Sequence, residues 1–306
     1  VETEFDDEYN YGMSKRKGAY LPHVMAHPMQ YVIDPRIIGT DDAQKAKDAC
    51  KYDAVDLEME EREIKFPAGA VIWATGWQPY DAAKIQPYGY DRFDNVITNV
   101  EFERMADPKG PTGGRIVRKD GKEARNVAFI QCAGSRDRNH LYHCSRICCM
   151  ASLKQTHYVV DAYEDAKVTI YYIDIRAIDR FEDFYQTVKD MDNVTFTKSK
   201  VANVITDKEG NPICCGVDTE GYHRYENTHD LVVLATGMEP SVAKSDFPVD
   251  IVINREGFIE PDAANGGVFA AGSASDALDV NRAVQHATGA ALKAIQVVNR
   301  VAGAEA

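Results

Sequence analysis

Four of the seven cysteines in the 306-residue chain are spaced for chemistry, as Cys132-x11-Cys144-x3-Cys148-Cys149. Four thiolates suit either a tetrahedral zinc ion or an iron–sulfur cluster. Adjacent cysteines are awkward around one ion. They are easier around a [4Fe-4S] cluster, whose irons spread the ligands apart. A [4Fe-4S] cluster on Cys132, Cys144, Cys148 and Cys149 is therefore the expectation, with zinc and inert buried thiols as the alternatives. Cys214 and Cys215 fall in a predicted strand, where neighbouring side chains face opposite ways and chelate poorly. Cys50 stands alone. His140, His143 and His157 flank the motif and read as turn or surface histidines, with hydrogen bonding to the cluster by His143 as the sharper alternative.

The elements around the motif follow from hydropathy. Residues 126–131 (Asn-Val-Ala-Phe-Ile-Gln) form an apolar strand, 143–161 a long helix and 168–174 a second strand. That is a βαβ unit, which implies a parallel sheet. Cys132 lies in the βα turn. Cys144 and Cys148, four apart, would share a face of the first helical turns. In a dinucleotide-binding unit this turn carries G-x-G-x-x-G. Here it reads Cys132-Ala133-Gly134-Ser135-Arg136, with a single glycine. Asp174 could hold a ribose, but Arg176 beside it could neutralise it. Hydride exchange with NAD(P)H is therefore disfavoured.

A second set of elements repeats the pattern. The apolar strand 69–75 ends in Ala74-Thr75-Gly76, and the strand 231–236 ends in Ala235-Thr236-Gly237. This echo predicts two related α/β halves. Residues 194–230 read as short strands joined by turns, a β-meander. The strand 267–271 leads through Gly272-Ser273 into a helix over 281–301, lined with small residues. Residues 107–114 (Asp-Pro-Lys-Gly-Pro-Thr-Gly-Gly) are a candidate joint, and 42–50 a short helix. The first fifty residues, with the basic stretch Ser14-Lys15-Arg16-Lys17, read as a loop-rich lead-in. That stretch is either a solvated loop or a clamp on an anion.

Composition excludes other classes. A net charge of −13 makes nucleic acid an unfavourable partner. No apolar run approaches the roughly 18 residues of a membrane span, so any membrane association would go through a partner. The odd cysteine count points to a reducing, cytoplasmic setting rather than a disulfide framework. The acidic start, without Met, reads as the interior of a longer protein.

Gly267-Val-Phe-Ala-Ala-Gly272-Ser273 and the helix after it resemble the C-terminal FAD signature of two-dinucleotide-domain flavoproteins. That resemblance implies FAD near Thr75, Gly76, Gly272, Ser273, Arg282, Ala283 and Val284, with the helix dipole facing the flavin. Ser273 departs from the usual Asp. The motifs around Cys132, around Cys144–Met150, Ile173-Asp-Ile-Arg176 and Ser14–Pro22 resemble the A subunit of heterodisulfide reductase. The family implies a thioredoxin-reductase-like α/β flavoprotein with parallel sheets and a meander, whose first FAD βαβ element precedes Val1. On that basis residues 1–55 are the remnant of a ferredoxin-like insertion. Residues 56–106 and 241–306 form a partial FAD domain, and 107–240 the nicotinamide-domain-like half carrying the cluster.

The family also implies Lys154 near flavin N5 and a nearby acid, Glu101 in preference to Glu103. Within the family the chain is similar to the A subunit of the quinone-interacting membrane-bound oxidoreductase. That likeness implies electron transfer between adenylylsulfate reductase and a quinone-reactive membrane subunit in dissimilatory sulfate reduction, from the cytoplasmic side of the inner membrane. The competing function is an NAD(P)H-dependent FAD disulfide oxidoreductase using Cys148-Cys149 or Cys214-Cys215.

Overall fold

The computed structural model describes residues 1–178, 180–244, 251–260 and 266–304. The chain divides into two units, residues 1–66 with 107–114 and residues 67–106 with 115–306. The smaller unit holds β1 (Glu4–Asp6), β2 (Lys15–Lys17), β3 (Ala19–Tyr20), β4 (Val32–Ile33) and α1 (Asp41–Ala49). The basic stretch is strand β2, not a loop. It pairs antiparallel with the acidic β1, setting Glu4 against Lys17 and Asp6 against Lys15. Ion pairs follow from that register: Lys15–Asp6 at 2.5 Å and Lys17–Glu4 at 2.7 Å. The side chain of Arg16 is nearly buried between Glu8 at 2.6 Å and Asp34 at 3.0 Å, with Tyr20 beneath its guanidinium. The basic residues are thus neutralised within their own unit.

The larger unit begins with β5 (Val71–Trp73), β6 (Trp77–Pro79), β7 (Val96–Thr98) and α2 (Asn99–Ala106). It continues with β8 (Asn126–Ala133), α3 (Cys148–Ala162), β9 (Lys167–Tyr172), α4 (Phe181–Lys189) and β10 (Val194–Lys198). Then come β11 (Asn203–Thr206), β12 (Pro212–Asp218), β13 (His223–Thr228) and β14 (Leu231–Thr236). The last elements are β15 (Met238–Pro240), β16 (Val268–Ala270) and α5 (Val280–Ala304).

Strands β10-β9-β8-β14-β7 form one five-stranded sheet in that order, with every pairing parallel. The alternation along β8 explains its burial on both faces. Val127 and Phe129 point to a core with Phe102 of α2, Leu153 and Val159 of α3 and Val188 of α4. Ala128 and Ile130 point the other way, to Tyr171, Val204 of β11, Cys214 and Tyr225. The antiparallel meander β11-β12-β13 supplies that second layer. The expected α/β architecture, with parallel sheets and a meander, is what the chain adopts. One strand joins from beyond the expected joint at 107: β7 lies before it, yet pairs with β14 through Val96↔Val232.

The two Ala-Thr-Gly endings have a shared structural meaning. Each leads into a short strand, and these two strands, β6 and β15, pair antiparallel with Gln78 opposite Glu239. β5 pairs in parallel with β16, so the turns after both strands leave the same carboxyl edge.

Candidate metal centre

β8 ends in an abrupt change of backbone. Cys132, Gly134 and Arg136 all take left-handed φ, at 56°, 73° and 53°. Gly134 is required there: a Cβ would lie 2.6 Å from Tyr80 Cδ1 and 2.9 Å from Ile85 Cδ1. The loop then folds back on itself, Leu141 N–H donating to Gly134 O at 3.0 Å and Arg136 N–H to His143 O at 3.0 Å. Ser145 Oγ accepts from Met238 N–H at 2.6 Å, and His143 Nε2 meets Met238 O at 2.8 Å. Gly237 is needed at this join, since a Cβ would lie 2.6 Å from Leu141 Cδ1 and 2.9 Å from Ser135 Oγ.

Helix α3 starts at Cys148, later than the sequence suggests. Arg146 is left-handed at φ 64°, which interrupts any helical path through 143–147. Cys144 is therefore a loop residue and does not share a helical face with Cys148. The convergence arises differently. Cys132 comes from the end of β8, Cys144 from the loop and Cys148 and Cys149 from the first turn of α3. All four line one small pocket, with Ser135, Arg136, Ser145, Arg146, Asp174 and Arg176. No side chain caps the N-terminus of α3, so its partial positive charge faces this pocket.

Three of the six non-glycine residues with left-handed backbone among the described residues (Cys132, Arg136 and Arg146) line this pocket. Such conformations cost energy and concentrate where function requires them. Arg146 Nε is buried without a hydrogen-bond partner, a donor facing a pocket that calls for negative charge. Arg136 reaches Asp174 at 2.5 Å, and Arg176 approaches the same carboxylate at 3.4 Å. Asp174 is held below the usual carboxylate range, these arginines outweighing the burial that opposes ionisation.

Burial, and then the neighbouring thiols, push Cys148 well up, while its Sγ donates to Thr236 O at 3.4 Å. Burial also raises Cys132, against the opposing pull of Arg136, and takes Cys149 to about 11. These three thiols stay protonated near neutrality unless a cation displaces their protons.

The donor set can be matched to a group. Among the described residues, no three His, Cys, Asp or Glu side chains gather tightly enough to hold one metal ion. A single zinc would need sulfurs at about 2.3 Å from a common point. Four thiols around one pocket are the donor set that an iron–sulfur cluster uses.

The other expected residues fall in two places. Thr75 and Gly76 follow β5, and Gly272 and Ser273 follow β16, at the same sheet edge. Ser241 Oγ donates to Thr75 O at 2.7 Å, and the space beside Gly76 is open. Gly272 sits against Ala283, its position for a Cβ 3.8 Å from Ala283 Cβ. Asp279 caps α5, accepting from Arg282 N–H at 2.9 Å, and leaves Arg282 and Val284 exposed on the first turns.

Lys154, on α3, pairs with Glu103 at 2.7 Å. Burial opposes charge on both, but their hydrogen bond outweighs it, raising Lys154 and lowering Glu103. Gln155 and Tyr158 also donate to Glu103, at 2.9 and 3.0 Å. Glu101 is elsewhere. It closes a capping box with Thr98, taking Thr98 N–H at 2.6 Å, and it accepts the Tyr90 hydroxyl at 2.8 Å. The acid facing Lys154 is Glu103, which sequence reasoning ranked second.

Cys214 is buried and Cys215 half-buried on opposite faces of β12. His140 bonds the Tyr80 hydroxyl at 3.0 Å, and His157 stacks on Phe184. Two features escaped the sequence reading, the buried, unpartnered Nε of Arg146 and the β6–β15 ribbon. A charged residue forced into left-handed backbone leaves no periodic signal.

The fold and site define an α/β unit with a parallel sheet whose βα turn carries a four-cysteine pocket. The chain is a homologue of the A subunit of heterodisulfide reductase. It is 38% identical over 310 residues to the A subunit of the ferredoxin/F(420)H(2)-dependent CoB-CoM heterodisulfide reductase of Methanosarcina acetivorans, covering 97% of this chain and 39% of that one. It is 35% identical over 310 residues to the first iron-sulfur A subunit of the CoB–CoM heterodisulfide reductase of Methanopyrus kandleri, covering 95% and 46%. The chain thus spans less than half the length of these relatives. No family model matches it. Among solved structures, thioredoxin reductases of T. acidophilum and Lactococcus lactis align with TM-scores of 0.48 and 0.49, at 15% and 17% identity, over 76% of this chain and 66% of each of theirs. No described helix is long and apolar enough to cross a membrane.

Proposed function

We propose that this chain is the cluster-bearing part of an FAD- and iron–sulfur-dependent electron-transfer oxidoreductase, working within a heterodisulfide-reductase-like complex. The observation that carries this reading is the gathering of Cys132, Cys144, Cys148 and Cys149 from three separate segments into one pocket. A [4Fe-4S] cluster bound there supplies one-electron carriage. The chain's own part is to hold four sulfurs, turn a helix terminus toward them and keep the Arg146 guanidinium beside them. Asp174, claimed by Arg136 and Arg176, is poorly placed to hold a nicotinamide ribose.

FAD is proposed at the carboxyl edge of β5 and β16, where α/β sheets bind ligands. Thr75, Gly76, Gly272 and Ser273 would line it, with Arg282, Ala283 and Val284 at the start of α5. Lys154 is proposed as a cation that stabilises reduced flavin, with Glu103 setting its position. The finer reading is the A subunit of the quinone-interacting membrane-bound oxidoreductase. Electrons would then pass between the quinone pool, through a quinone-reactive membrane protein of the complex, and adenylylsulfate reductase in dissimilatory sulfate reduction. The chain would lie on the cytoplasmic side of the inner membrane.

Anaerobic purification of the complete polypeptide, with iron, sulfide and flavin quantified, tests this. About four irons and one flavin per chain is the expected yield, and stoichiometric zinc without sulfide overturns it. Co-purification of a quinone-reactive membrane protein tests the finer assignment.

A further inference from the structure

We propose that the arginine-rich mouth above Cys144 is a docking surface for an acidic patch on a partner protein. Arg136, Arg138, Tyr142, Cys144 and Arg176 line a recess that opens widely to solvent. Arg255 covers one face of the exposed Tyr142, its guanidinium carbon 4.9 Å from the ring centroid. No carboxylate lines this cavity among the described residues. Asp174, on the wall of the neighbouring pocket, is taken up by Arg136 at 2.5 Å and Arg176 at 3.4 Å. Asp137 is turned to Lys200 at 2.7 Å. Arg138 is exposed and forms no ion pair among the described residues. This cationic mouth stands on a chain with 48 acidic and 35 basic residues, so its charge runs against the balance of the chain.

The chemistry favours a protein over a small anion. A phosphate site would use a glycine-rich nest of N–H groups, and this loop has one glycine. Asp174 would repel a phosphate that went deeper. Arginine and tyrosine on an open rim are the residue types that anchor protein interfaces. Charge there accelerates and orients encounter. Cys144 lines both cavities, so a partner seated here would lie against the proposed cluster. The redox meaning of the surface rests on that cluster reading; the docking does not.

The test uses the complete polypeptide, purified anaerobically, and fluorescein-labelled poly-L-glutamate read by anisotropy. Arg138→Glu with Arg255→Glu should weaken binding about tenfold or more at about 20 mM salt, with the gap closing near 300 mM. No binding, or unchanged binding in the double variant, overturns the proposal. Inorganic pyrophosphate displacing the polymer at micromolar concentration would also overturn it, since the mouth would then be a small-anion pocket. Iron content and the EPR signal, measured on the same samples, report separately on the cluster.

Discussion

Replacing Glu101 separates two roles for this residue. Its carboxylate takes Thr98 N–H at 2.6 Å, Thr98 Oγ1 at 2.7 Å and the Tyr90 hydroxyl at 2.8 Å. Glu101 is only 6% exposed. Glu101→Ala leaves the Thr98 N–H buried without an acceptor, costing about 1–3 kcal/mol, and takes the acceptor from the Tyr90 hydroxyl, costing about 1 kcal/mol more. Together these predict a loss of about 3 kcal/mol. Glu101→Gln keeps one oxygen for Thr98 and lets the Tyr90 hydroxyl turn to accept from the amide, so about 1 kcal/mol is expected. At roughly 2–4 °C per kcal/mol, the alanine variant should melt about 6–12 °C lower by circular dichroism and the glutamine variant about 2–4 °C lower. Flavin absorbance and potential should be unchanged in the glutamine variant. An alanine variant that melts with the parent while both variants shift the flavin potential would refute the capping role and put the acid at the flavin.

Other consequences are equally direct. His229 is buried, with Nδ1 facing Asn126 Oδ1 and Nε2 facing the Tyr171 hydroxyl, each at 3.0 Å, and burial takes its pKa down to about 4. The folded state therefore refuses a proton that the unfolded chain accepts below about 6.5. Its contribution is complete above that pH and declines as pH falls toward 4, by up to about 3 kcal/mol; urea midpoints across this range should flatten in His229→Gln. Gly134→Ala adds left-handed strain to contacts of 2.6 and 2.9 Å with Tyr80 and Ile85, so a loss of about 2–4 kcal/mol in chemical denaturation is expected. Cys214→Ser buries a hydroxyl and should cost about 1–3 kcal/mol. Cys215→Ser should cost less, and neither should change iron content.

Much of the fold was legible because it rests on periodicity and apolar runs. β14 appears at 231–236 as read, and α5 covers the expected 281–301. The parallel sheet followed from strands too apolar to expose either face. The start of α3 was not legible. Helical spacing of Cys144 and Cys148 suggested one face, but the left-handed Arg146 breaks that path. The four-cysteine grouping survived because a loop can deliver Cys144 as well as a helix can. Glu103 was passed over because sequence alone cannot show which of two acids, two residues apart, looks across to α3. The lead-in lacked a periodic core signal because much of its order is polar. Asp42 alone accepts from Glu2 N–H, Thr3 N–H and Thr3 Oγ1 at 2.6–2.9 Å.

EPR of the dithionite-reduced, anaerobically purified polypeptide, taken beside its Cys132→Ser, Cys144→Ser, Cys148→Ser and Cys149→Ser variants, bears most directly on the shared pocket. A single cluster held by all four sulfurs predicts one signal that is lost or altered, with iron falling, in every variant, while Cys50→Ser and Cys215→Ser leave it intact. A signal that keeps its shape and intensity in two or more of the four variants would contradict it.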